Sequence, residues 1–189
     1  IYSNGWAFFS IDMENTLKSC GQNEYGGNEE DVKDTTDAVV TNDYAIAIIL
    51  DDSDIYAFGN NKYGGDQLPD RRRGTGITRR KHLLHAGSRR KHKKSKKIYA
   101  SIKAFASLTI DGMIETWGDP NFGSSYNLGL TNVVNLFSTG RSFAALEKDG
   151  SVSVWGDFKY GGCDNVNNSH TASFRAITFS CKPFQIGKQ

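Results

Sequence analysis

The chain repeats itself, and that constrains its fold more than any other feature. "SFAALEKDGSVSVWGDFKYGG" at 142–162 is nearly rewritten as "AFASLTIDGMIETWGDPNFGS" at 104–124. Fainter copies stand at 45–65, "AIAIILDDSDIYAFGNNKYGG", and at 7–27, "AFFSIDMENTLKSCGQNEYGG". Aligned, the copies define 27-residue blocks that begin at Ile1, Val39, Ile98 and Leu136, with intervals of 38, 59 and 38 residues. Each block carries a glycine 20 positions after its start: Gly21, Gly59, Gly118 and Gly156. Before that glycine stands Cys20, Phe58, Trp117 or Trp155, and four residues after it Tyr25, Tyr63, Phe122 or Tyr160. A fifth block is expected to start at Ile177, 41 residues after Leu136.

Within a block the apolar period is two. Phe143 and Ala145, then Val152 and Val154, alternate with their neighbours as half-buried strands do. Asp149-Gly150 and Asp111-Gly112 fit a two-residue hairpin turn in which both positions need φ > 0. Glu14-Asn15 and Asp52-Ser53 take that place in the earlier blocks. The pattern predicts three short antiparallel strands per block, near 136–139, 142–147 and 151–155 in the best copy, with 11-residue polar linkers between blocks. One such sheet cannot cover both its faces, whereas stacked sheets can. The residues at Cys20, Phe58, Trp117 and Trp155, with the aromatics Tyr25, Tyr63, Phe122 and Tyr160, are therefore expected to form the blade cores. The glycines end strands where the backbone must bend sharply.

"GRSFAALEKDGSVSVWGDFKYGG" resembles the regulator of chromosome condensation repeat in its short form. Ala144, Leu146, Asp149-Gly150, Val152, Trp155-Gly156 and Gly161 match, and the 98–124 copy matches nearly as well. The 1–27 and 39–65 copies depart from the pattern, with Cys20 and Phe58 in place of tryptophan and no Asp-Gly turn. The resemblance implies a β-propeller of the kind found in the bacterial β-lactamase inhibitory protein, with three strands per blade. The fold class expected is thus all-β: a partial propeller of about four three-stranded antiparallel blades near 1–27, 39–65, 98–124 and 136–162, plus a remnant at 177–189. Such a stack leaves its ends open, to be closed by the remaining blades of a parent chain or by an oligomer mate.

The interval between the second and third blocks holds 21 extra residues and a charge run. Residues 71–97 carry seven Arg, six Lys and no acid, a charge of +13, against ten basic and 21 acidic side chains (−11) in the other 162 residues. Its cations are Arg71, Arg72, Arg73, Arg79, Arg80, Lys81, Arg89, Arg90, Lys91, Lys93, Lys94, Lys96 and Lys97. Three readings of this basic insertion, 66–97, stay open: an idle solvated loop, contact with an acidic partner or nucleic acid, or a mistranslated stretch. No aromatic residue is interleaved, so base stacking has no support. The run also matches a nuclear localisation pattern.

Reactive chemistry is sought without success. There is no phosphate-binding GxxxxGK[ST] loop, no cysteine spacing for zinc among Cys20, Cys163 and Cys181, and no arrangement of Ser, His and Asp for nucleophilic attack. No cofactor is expected. No apolar run reaches the roughly 20 residues of a membrane helix, and an intracellular setting, cytoplasmic or nuclear, is the expectation. The function expected is a non-enzymatic scaffold or binding module that presents blade loops to a protein partner, as a fragment of a larger propeller protein. Nucleic-acid or chromatin binding through 71–97 is one alternative. Small-GTPase nucleotide exchange or a ubiquitin-ligase-associated role, implied by the resemblance alone, is another.

Overall fold

The computed structural model describes residues 1–27, 31–65, 88–90, 94–124, 129–162, 173–174 and 177–181. Four sheets follow one another along the chain, each built on three antiparallel strands. The first holds β1 (Tyr2–Ser3), β2 (Ala7–Ile11) and β3 (Leu17–Gly21); the second β4 (Thr35–Thr41), β5 (Ala45–Leu50), β6 (Ile55–Gly59) and an added β7 (Ser88–Arg90). The third holds β8 (Ser95–Ala100), β9 (Ala104–Thr109) and β10 (Ile114–Gly118). The fourth holds β11 (Val133–Ser138), β12 (Ser142–Glu147) and β13 (Val152–Gly156), extended by β15 (Ile177–Cys181) and β14 (Ser173–Phe174). We call these sheets blades one to four.

Period-two alternation decides which blade a side chain touches. Phe9, Leu17 and Ala7 of blade one point forward and pack against Ile46, Ile48, Tyr56 and Phe58, which point back from blade two. Ala45, Ala47, Ile49, Ile55 and Ala57 repeat the arrangement against Phe105 and Trp117. Ala104, Ala106 and Leu108 do so against Phe143, Ala145 and Trp155. The core is therefore three inter-blade layers, each supplied half by one sheet and half by the next. A buried aromatic in such a layer is worth about 1.5–3 kcal/mol. The first strands of adjacent blades converge: Thr41 Oγ1 donates to the Ser3 carbonyl at 2.9 Å, and Tyr99 Oη to Asn135 Oδ1 at 2.8 Å.

Several expectations are corrected. The hairpin tips are not two-residue turns with both positions left-handed. Only the second position has positive φ, at Asn15 (56°), Ser53 (66°), Gly112 (76°) and Gly150 (87°). Gly112 N–H donates to the Thr109 carbonyl while Thr109 N–H donates to that of Met113, which encloses three residues. This is a type I turn followed by a left-handed bulge residue. First strands begin earlier than the block boundaries suggest, at Thr35, Ser95 and Val133, so the linkers are shorter. The reason is a bond from each hairpin tip to the next blade: Thr35, Ser95 and Val133 N–H donate to the carbonyls of Asn15, Ser53 and Gly112. Ile177–Cys181, the expected opening of a fifth block, instead runs parallel to β13 and widens the fourth sheet.

Candidate functional site

Each blade has two turns at the same end of the sheet. One joins the first strand to the second; the other is a single 3-10 turn after the third strand, at Asn23–Tyr25, Asn61–Tyr63, Pro120–Phe122 and Phe158–Tyr160. A polar residue ties the two together. Asn4 Nδ2 donates to the Tyr25 carbonyl at 3.0 Å while its Oδ1 accepts from Trp6 and Ala7 N–H. Asn42 does the same with Tyr63, Tyr44 and Ala45. Ser101 and Thr139 use one hydroxyl for both tasks, on the carbonyls of Phe122 and Tyr160. Asn60, Asp119 and Asp157 cap their 3-10 turns by accepting from Lys62, Asn121 and Lys159 N–H. The rim is thus preset by short polar side chains at fixed block positions.

This pinning brings the residue before each second strand (Trp6, Tyr44, Lys103, Arg141) between the 3-10 aromatics of successive blades. Trp6 stacks on Tyr25 with centroids 5.0 Å apart, Tyr25 meets Tyr44 at 5.8 Å, and Tyr44 meets Tyr63 at 4.5 Å. Lys103 Nζ then lies 4.9 Å from the Tyr63 centroid and 5.0 Å from that of Phe122. The Arg141 guanidinium lies 4.9 Å from Phe122 and 4.4 Å from Tyr160. A continuous ladder of eight side chains therefore crosses all four blades. Each partly exposed cation–π contact in it is worth about 0.5–1 kcal/mol. Desolvation among these rings, with the Glu24 carboxylate adding to it, pushes the Tyr25 phenol above its ordinary ionisation range.

Tyr25, Tyr63 and Tyr160 are consequently not blade-core residues. Tyr25 and Tyr63 are half-buried, Tyr160 is 52% exposed, and only Phe122, at 8%, is buried. The other expected core column divides. Phe58, Trp117 and Trp155 are fully buried, and each indole donates Nε1–H to the preceding blade, Trp117 to the Gly64 carbonyl at 3.1 Å and Trp155 to that of Gly123 at 2.9 Å. Cys20 is exposed, because among the described residues no sheet lies against that face of the first blade. The strand-end glycines have φ of 142°, 113°, 110° and 111°, and a Cβ at any of them would lie within 2.8 Å of backbone. Trp6, Tyr44, Lys103 and Arg141 were missed from the sequence. Their signal is positional, one large side chain per block five residues after its start, but its chemistry changes from ring to cation halfway along.

Of the basic column, Arg71, Arg72, Arg73, Arg79, Arg80, Lys81, Lys91 and Lys93 lie outside the described residues. Arg89 and Arg90 belong to β7, whose backbone pairs with Tyr56 and Ile55. Lys94, Lys96 and Lys97 are exposed at the start of β8 and so belong to blade three rather than to an insertion. Among the described residues no group of three or more His, Cys, Asp or Glu could hold a metal ion, and no helix is long and apolar enough to cross a membrane. A shallow cleft of about 360 Å³ is lined by Thr131, Asn132, Glu147, Lys148 and Asp149. Hydrogen bonds from Ser151 hold the Asp149 carboxyl below its ordinary range.

No family model and no curated protein sequence matches the chain. Solved structures do. Prp20p from Saccharomyces cerevisiae superposes with a TM-score of 0.59 at 15% identity, over 95% of this chain and 48% of that one.

The fold is a partial RCC1-type propeller.

Yeast RCC1 (Prp20) bound to Kap60 gives a TM-score of 0.54 at 16% identity, over 81% of this chain and 42% of that one. Human WBSCR16 gives 0.50 at 18%, over 82% and 46%. The chain spans less than half the length of each of these RCC1-type propellers.

Proposed function

We propose that the chain is a non-enzymatic binding module whose 3-10 rim contacts a protein partner. The observation that carries this reading is the exposure of Ile102 (36%) and Phe158 (55%) on a rim otherwise locked by the ladder. They stand on turns whose backbones are already bonded: Asp43 N–H donates to the Ile102 carbonyl, and Ile102 N–H to that of Gly140. Rigid apolar anchors ringed by charge are what the centre of a protein interface requires. The rim carries four acids (Glu24, Asp43, Asp119, Asp157) and four bases (Lys62, Lys103, Arg141, Lys159). That balance favours a protein surface over a polyphosphate. Prp20p is described with binding properties to Gsp1p and histones, and RCC1 (Prp20) with Kap60, so the same scaffold elsewhere meets proteins.

A photo-crosslinking residue placed at Phe158 should capture the partner, whereas one placed at Met13, on the hairpin end, should not. Ile102→Asp and Phe158→Ala should each then weaken binding about tenfold or more, the loss of one anchor. Capture through Met13 alone, or unchanged affinity in both variants, would refute the reading.

The charge run favours a second reading, nucleic-acid binding by the segment around 71–97. Lys94, Lys96 and Lys97 are its exposed described members. The exchange-factor and ligase alternatives rest on resemblance and have no residue to carry them.

A further inference from the structure

The four blades share one rim but not its chemistry. Three places per blade are exposed in all four copies: the residue before the ladder position and the first two residues of the 3-10 turn. Exposure there is a property of the rim, and only the side chains differ. In blades one and two these places hold both exposed acids of the rim, Glu24 and Asp43, and no large apolar group. In blades three and four they hold Ile102, Phe158 and Lys159 and no acid. The ladder changes at the same boundary, from the rings of Trp6 and Tyr44 to the cations Lys103 and Arg141.

Two carboxylates do stand in the second half, and both are engaged within the rim. Asp119, only 7% exposed, accepts from Asn121 N–H at 3.0 Å and from its Nδ2 at 3.1 Å. Asp157 accepts from Lys159 N–H at 3.0 Å and meets Arg141 Nη1 at 3.4 Å. The lysines are held differently. Lys103 Nζ rests on the rings of Tyr44, Tyr63 and Phe122, and Lys159 Nζ lies 5.8 Å from the Phe158 centroid. Among the described residues neither has a carboxylate within ion-pair distance. A ring face attracts the cation without using up its N–H donors, so these stay available to a partner. It also orders the long side chain in advance, which lowers the entropy lost on binding. Contacts join these groups into one patch. Ile102 N–H donates to the Gly140 carbonyl, and a Cβ on Gly140 would meet Ile102 Cδ1 at 3.2 Å. Asp157 N–H donates to the Arg141 carbonyl at 3.0 Å, which sets Phe158 beside that guanidinium.

We propose that the partner segment seated on blades three and four is an acidic stretch of polypeptide with an apolar side chain between its carboxylates, an inference that rests on the rim reading above. Ile102 and Phe158 take the apolar side chain, and Lys103, Arg141 and Lys159 meet the carboxylates. Such complementarity fixes the choice and register of a partner more than its raw affinity. A long polyanion fits less well. It brings no apolar group to Ile102 and Phe158, and along the rim it runs on to Glu24 and Asp43, which repel it.

Fluorescence anisotropy of the full chain with three labelled peptides of one design tests this: a central phenylalanine flanked by Asp and Glu, by Asn and Gln, or by Lys. The acidic peptide should bind about tenfold more tightly than the neutral one, and the lysine peptide least, with the preference shrinking as salt screens the exposed pairs. The cations of 71–97 offer a competing site, so rim variants locate the binding. Lys159→Glu and Phe158→Ala should each weaken the acidic peptide about tenfold or more, whereas Lys62→Glu, the counterpart in blade two, should change it by less than about twofold. Lys159 serves its turn through the backbone alone, and circular dichroism checks that the sheets persist in each variant. A benzoylphenylalanine at the centre of the acidic peptide should crosslink beside Ile102 or Phe158. Acidic and neutral peptides that bind alike, both weakened by Phe158→Ala, overturn the acidic partner while leaving the rim as the contact surface. Acidic binding that survives both Lys159→Glu and Phe158→Ala belongs to 71–97 and overturns the proposal, as does failure of all three peptides to bind at about 1 mM. A single-stranded oligonucleotide that displaces the acidic peptide and is itself weakened by Lys159→Glu would give the patch to nucleic acid instead.

Discussion

A glycine in this chain is judged by what lies behind it. Gly118 has φ of 110°, and a Cβ there would stand 2.6 Å from the Lys103 carbonyl oxygen and 2.7 Å from the Ala104 Cα. Gly129 also has positive φ, 59°, but nothing lies within 4 Å of its missing Cβ. Gly118→Ala should therefore cost at least ~2 kcal/mol, combining conformational strain with a backbone shift at the strand end. Gly129→Ala should cost only the conformational part, about 1–2 kcal/mol. Urea unfolding of the two variants checks the ordering, and equal losses would mean that backbone conformation alone sets the requirement. The recurrence of Gly21, Gly59, Gly118 and Gly156 was visible in the sequence, and so was its meaning, because only one residue type fits such a place. Cys20 shows the limit of that kind of reading. Its column said core, but burial is a property of two neighbouring blades, and among the described residues the first blade packs against the second alone.

At the level of the element, the hairpin tip does more than reverse the chain. Its left-handed residue offers a carbonyl to the first strand of the next blade, as Ser53 does to Ser95 and Gly112 to Val133. Glycine holds this place without strain in the later two blades, whereas Ser53 holds it at φ 66° with a side chain. Ser53→Gly should relieve about 1 kcal/mol of left-handed strain, part of which the freer unfolded chain takes back, for a net gain of about 0.5 kcal/mol. Gly112→Ala should move the other way by about 1–2 kcal/mol, since a Cβ would also come within 3.2 Å of the Val133 carbonyl oxygen. Thermal unfolding reads both. Sequence periodicity gave the second and third strands closely because both their faces are apolar or alternate cleanly. The first strands began earlier than expected, since Thr35, Ser95 and their neighbours are polar and are held by bonds to the preceding hairpin, which no local pattern reports. The ladder was illegible for a related reason. Trp6, Tyr44, Lys103 and Arg141 share a position but no hydropathy, and only the packing of rings against cations makes them one feature.

The whole molecule is a charge-separated object: a segment of +13 joined to a body of −11. The described parts of that segment enter along the edge of β6 and leave through β8, where Ser95 N–H bonds the Ser53 carbonyl beside Asp51, Asp52 and Asp54. Lys94, Lys96 and Lys97 therefore follow an acidic hairpin, which would repel a polyanion unless several Arg and Lys of the segment engage phosphates together. This makes the salt response diagnostic. If the segment binds nucleic acid through about six phosphates, affinity should fall roughly a thousandfold between 50 and 200 mM salt, with a log–log slope near −5. Replacing Arg71, Arg72, Arg73, Arg79, Arg80 and Lys81 by Gln leaves β7 and β8 untouched. It should flatten that slope toward zero and weaken binding to all sequences alike, because phosphate contacts carry no base information. An unchanged slope in that variant would remove the segment from the interface. Affinity that differs strongly between sequences would require base-reading groups, and no aromatic residue is interleaved among the cations of 71–97 to stack on a base.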